Sequence, residues 1–91
     1  WKQQLARSRE ETGKAVKKAE KLFEENKGKL SDAEKVRELI EKARYNYDFV
    51  RNANGVHNPN YSFKLLDKAL NWAEQAQGMI QEQAGGSGNS S

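Results

Sequence analysis

From Trp1 to Asn26 the residues Trp1, Leu5, Ser8, Thr12, Ala15, Ala19, Leu22 and Asn26 follow alternating steps of four and three. Val16 and Phe23 widen this seam one position to the side. Residues three and four apart share one face of an α-helix, so the spacing predicts an amphipathic helix; the alternation of a strand is absent. A second seam runs through Ala33, Val36, Ile40, Ala43, Tyr47 and Val50, with Leu39 beside it. A third runs through Ser62, Leu66, Ala69, Ala73, Ala76 and Ile80. Leu65, Trp72 and Met79 form a further stripe on that segment, which therefore contacts both of the others.

The punctuation between the seams predicts helices over about residues 1–27, 32–53 and 59–83. Asn26-Lys27-Gly28 interrupts the first segment. Ser31-Asp32-Ala33-Glu34 fits a capping box, in which Ser31 accepts from the amide of Glu34 and Glu34 reaches back. Gly55, after Asn54, suits a left-handed C-cap, and Asn58-Pro59 supplies an N-cap followed by a proline at the first helical position. The interior glycines Gly13 and Gly78 should each cost ~1 kcal/mol relative to alanine. Connections this short force sequential neighbours to run antiparallel. The expected fold is all-α: an up-down-up three-helix bundle over residues 1–83. Its expected core is Leu5, Val16, Leu22, Phe23, Val36, Leu39, Ile40, Tyr47, Val50, Leu66, Leu70, Trp72 and Ile80. Residues 84–91 read as a flexible Gly/Ser-rich tail, of the kind added in expression or fusion work.

Composition narrows the chemistry. The chain has 91 residues, enough for one small domain. It has no cysteine, which excludes a disulfide scaffold, a thiol nucleophile, Cys-ligated zinc or iron–sulfur, and covalent attachment of a c-type haem. A mean hydropathy of −1.08 raises disorder as an alternative. Sustained periodicity, aromatic residues and two legible caps argue against it. No apolar stretch approaches the ~20 residues of a membrane span, and no secretory signal is visible. The chain opens on Trp1, which suggests that a natural start has been removed. Sixteen Lys and Arg against thirteen Asp and Glu leave a net charge of +3, ordinary for a protein that binds no nucleic acid.

One stretch carries a resemblance. Ala43-Arg44-Tyr45-Asn46-Tyr47-Asp48-Phe49-Val50, then Asn54-Gly55-Val56-His57-Asn58-Pro59, then Tyr61, Leu65, Leu66 and Ala69 make up the pattern. It resembles the C-terminal helices of the ammonia-forming cytochrome c nitrite reductase family and related multihaem cytochromes. In those proteins an aromatic-rich helix ends in a G-V-H-N-P turn before another long helix. The similarity is best over residues 31–77; the seam of residues 1–30 is too generic to add to it. The family attaches its haems through C-x-x-C-H motifs, and this chain has none. The resemblance maps a distal haem ligand onto His57 and a periplasmic location onto a natural member. It implies shared or borrowed helices rather than shared catalysis.

Other candidate sites have plainer readings. One histidine cannot build a metal site, and His57 reads first as a turn residue packing near aromatics. Tyr45, Tyr47 and Phe49 alternate by two, which spreads them around a helix and denies them one stacking platform with Tyr61, Phe63 and Trp72. Lys14, Lys17, Lys18 and Lys21 form a basic run. Glu10, Glu11, Glu20, Glu24 and Glu25 interleave with it, so it reads as a solvated face with Glu10–Lys14 and Lys21–Glu25 pairs. The serines lack a nucleophile context, no phosphate-binding glycine loop occurs, and no carboxylate pair is specified. The residues thus favour an engineered or fragment-derived soluble bundle with no enzymatic activity, no cofactor and no required partner, monomeric or, alternatively, homodimeric. The alternatives are the haem-free C-terminal module of a multihaem electron-transfer protein and a helical interaction module.

Overall fold

The computed structural model describes residues 2–53 and 58–85. Three α-helices, α1 (Lys2–Asn26), α2 (Ala33–Ala53) and α3 (Pro59–Ile80), form an all-α three-helix bundle. A 3₁₀ turn, Lys27–Lys29, follows α1, and a π-helical turn, Gln81–Gly85, continues α3. The body measures 43 × 23 × 16 Å, close to the roughly 37 Å rise of the 25 residues of α1. The pairs that touch show the directions. Glu20 meets Arg44 and Gly13 meets Tyr47, so α1 and α2 are antiparallel. Asn46 meets Leu65 and Lys42 meets Trp72, so α2 and α3 are antiparallel too. The α3 helix packs most extensively, against α2 and then α1; the α1–α2 contact is the thinnest.

The core draws on all three seams. Val16 and Ala19 come from α1. Val36, Leu39, Ile40, Ala43, Tyr47 and Val50 come from α2, and Leu66, Ala69, Ala73, Ala76 and Ile80 from α3. Five residues expected at the centre sit elsewhere: Leu5, Leu22, Phe23, Leu70 and Trp72 are half-buried. On α3 the buried stripe runs through Ser62, Leu66, Ala69, Ala73, Ala76 and Ile80, and helical spacing sets Leu70 and Trp72 to either side of it, on the flanks of the interface. Leu5, Leu22, Phe23 and Trp72 still pack against the core from there.

The caps differ from expectation at one end. Asp32, not Ser31, caps α2: the Lys35 amide donates to Asp32 Oδ1 at 3.3 Å and the Val36 amide to the Asp32 carbonyl at 3.3 Å. Asp is as good a cap as Ser, and its charge also suits the helix dipole. The shift moves Glu34 out of reach of the cap amide. Gln83 takes that task, its Oε1 accepting from the Asp32 amide at 3.0 Å, while Glu34 pairs with Arg37 at 2.6 Å. At α3, Asn58 caps as its sequence suggests, accepting from the Tyr61 amide at 2.8 Å with Pro59 in the first turn. Gly55 lies outside the described residues. Ala84 and Gly85, expected to open the tail, belong to the π-helical turn, and Ala84 packs against the core; residues 86–91 lie outside the described residues.

Gly13 is where propensity alone misleads. It is buried in mid-helix, and a Cβ built there would lie 2.6, 2.8 and 2.9 Å from the Oη, Cζ and Cε1 atoms of Tyr47. The glycine lets the Tyr47 ring rest on the backbone of α1. Alanine at 13 would gain ~1 kcal/mol of helix propensity but overpack a core ring, at a cost of about 1–3 kcal/mol. Three contacts below 3 Å on a planar ring favour the upper end of that cost. Gly13→Ala should therefore destabilise by about 1–2 kcal/mol, lowering the melting temperature by roughly 4–8 °C per kcal/mol. In a Tyr47→Leu background the same change should stabilise. Calorimetry of the two singles and the double decides it; a higher melting temperature for Gly13→Ala alone would refute the packing. Leu66, 0% exposed, should cost about 2–5 kcal/mol on substitution by alanine, and an unchanged melting temperature would mean that the seam of α3 is misplaced.

Candidate functional site

The aromatic and charged residues of α2 divide between two faces. Tyr47 points inward and is 9% exposed. The guanidinium carbons of Arg44 and Arg51 lie 5.7 and 5.8 Å from its ring centroid, one turn before and after it. Arg44 in turn bridges the helices. Its Nε and Nη2 donate to the two carboxylate oxygens of Glu20 on α1 at 2.9 and 2.7 Å, and its Nη1 donates to Asp48 at 3.1 Å. Asp48 also faces Arg51 at 3.8 Å. The fork-to-fork geometry joins α1 to α2 beside the Gly13 contact, where the helix–helix surface is thinnest.

The hydrogen bonds from Arg44 to Glu20 raise its pKa above the ordinary guanidinium value; burial opposes this, and Asp48 adds to it. A raised pKa means that the stabilisation is fully present below the ordinary guanidinium range and is lost only as the pH climbs through that range and beyond. The guanidinium therefore keeps its charge throughout the neutral range. Both partners of the clamp are about one-third exposed, so solvent screens the pair. Glu20→Gln should lower stability by about 1 kcal/mol in urea titration, and the wild-type advantage should shrink in high salt. Equal stabilities for the two chains in low salt would show that the bridge is idle.

On the opposite face of α2, Tyr45 and Phe49 stack, with centroids 6.3 Å apart and planes 12° from parallel. This corrects the expected spread of the aromatics: Tyr47 is separate, but residues 45 and 49 are one turn apart and share a face. Tyr45 is 70% exposed and Phe49 39%. Beside Tyr45 a shallow groove of about 270 Å³ is lined by Glu38, Glu41, Lys42, Asn46 and Trp72, with the Lys42 ammonium 5.7 Å above the Trp72 ring. On α1, Lys14 pairs with Glu10 at 3.9 Å, but the other pair joins Lys27 to Glu24 at 3.1 Å rather than Lys21 to Glu25.

Several polar residues that position helices escaped the motif reading. Asn46 Nδ2 donates to the Leu65 carbonyl at 3.3 Å, and Gln77 Nε2 donates to the Ala15 carbonyl at 3.0 Å. Each sits three or four residues from buried neighbours of its own helix, Val50 and Ala43 for Asn46, Ala73 and Ile80 for Gln77. A polar side chain on an inward register was the signal available for them.

Among the described residues no cluster of three or more His, Cys, Asp or Glu could hold a metal ion, and no helix is long and apolar enough to cross a membrane. His57 lies outside the described residues. No curated protein and no solved structure matches the chain. A family model does match, that of cytochrome c552, over residues 1–91. The chain belongs to the cytochrome c552 family. The match runs through the first thirty residues, whose seam carried no resemblance by itself, as well as through residues 54–59. Covalent haem does not fit this part of the family: thioether attachment needs two cysteine thiols, and the chain has none.

Proposed function

We propose that this chain is the haem-free, C-terminal helical module of a multihaem, nitrite reductase-like electron-transfer protein, without catalytic activity of its own. The observation that supports this reading over a designed scaffold is the family match along all 91 residues. A freely assembled bundle needs only matched seams and has no cause to retain the family's pattern along its length. In this reading the haems, and the chemistry they supply, are carried on segments with C-x-x-C-H motifs. The helices contribute shape and packing surface, and the Gly-Val-His-Asn-Pro sequence of residues 55–59 contributes one imidazole, that of His57, as a ligand for an iron held on another segment. The module requires neither nucleic acid nor membrane for this role.

A haem undecapeptide that carries its own proximal histidine and an open distal position tests the reading. Titrated with the purified chain, it should shift its Soret band to a six-coordinate, low-spin position at concentrations below those at which free imidazole does so. His57→Ala should abolish that advantage. A chain no better than imidazole would contradict the haem-facing role. Nitrite consumption by the chain alone, with reduced viologen as donor, would contradict the absence of catalysis.

A further inference from the structure

The family is one of haem carriers, yet the interior leaves no room between helices for a haem. Each of the three interfaces is closed by a side chain that touches the backbone of the next helix. Tyr47 of α2 lies against Gly13 of α1. Asn46 of α2 donates to the Leu65 carbonyl of α3, and Gln77 of α3 donates to the Ala15 carbonyl of α1. A planar macrocycle between any two helices would need a van der Waals layer of roughly 3.5–4 Å on each side, and the contact that closes that interface would be lost. Nor does the core leave a polar side chain waiting for a missing partner. No buried side-chain nitrogen or oxygen among the described residues lacks a partner, and the grooves found are shallow and open on the flanks.

We infer that these helices are a haem-independent folding unit, which reaches its native packing with no prosthetic group and so can fold before haem is attached elsewhere in a multihaem cytochrome. The order of assembly rests on the function proposed above; the autonomy of the fold does not. Backbone contacts of this kind form only when helices are already in register, so they also resist the loosely packed state that an apo-cytochrome with an emptied core would adopt.

Urea unfolding of the purified, haem-free chain tests this directly, followed in parallel by far-UV circular dichroism and by near-UV signals of the aromatic residues. The expected result is one cooperative transition, coincident for both probes, with a midpoint that equimolar ferric haem leaves unchanged in the His57→Ala chain, where haem ligation at residue 57 cannot contribute. Absent near-UV signal, separated transitions, or a midpoint that haem moves upward in the His57→Ala chain would each overturn the inference. The two proposals fail separately: loss of the Soret advantage leaves this transition as it is, and a haem-dependent transition leaves the ligation test readable.

Discussion

The bundle turns on the contact between the ring of Tyr47 and the backbone of Gly13. Helices α1 and α2 share the thinnest interface of the three, so what holds them in register cannot be a broad apolar seam. A large aromatic resting where a Cβ would otherwise stand brings the two axes together at one point. Around that point the remaining charges fall into place. Arg44 lies over the ring while its guanidinium fork reaches Glu20 on the facing helix, and Arg51 covers the ring from the next turn. Removing the side chain at 13 costs helix propensity locally and supplies tertiary packing, and tertiary packing is the larger quantity.

The apolar rhythm was enough to place three helices and their antiparallel order, because the four–three spacing leaves no competing strand register. The Asn58-Pro59 start was legible for a local reason: cap and proline act within one turn. The start of α2 was not, because Asp32 displaces Ser31 as the cap and its amide is taken by Gln83, 51 positions away, a partner that no local pattern shows. The depth of each core residue was equally illegible. Leu22, Leu70 and Trp72 are as apolar as Leu66, but the buried stripes run beside them and leave those three on the flanks. Gly13 looked like a weakness because propensity is a one-residue property, and its value here is set by a ring on another helix.

The same packing bears on what a member of a haem-carrying family can do without cysteine. Among the described residues, apolar side chains from all three helices form one core and no buried side-chain nitrogen or oxygen lacks a partner, which is the basis for the inferred independence from haem. Its outward features are the stacked Tyr45–Phe49 pair and the lysine-rich face of α1. Rigid helices with a settled core suit a supporting role: they hold a shape against which other elements can be positioned, and they ask nothing of the cofactor in return.

Native-state hydrogen exchange bears most directly on whether α1 is locked to the other two helices. If the Tyr47–Gly13 contact and its neighbours hold, the amides of Val16 and Ala19 should exchange only through global unfolding, with the same free energy as Leu66 and Ala73. If α1 instead opens by itself, with Val16 and Ala19 exchanging far faster than α3, the three helices are not one cooperative unit and the central contact does not do what is claimed for it.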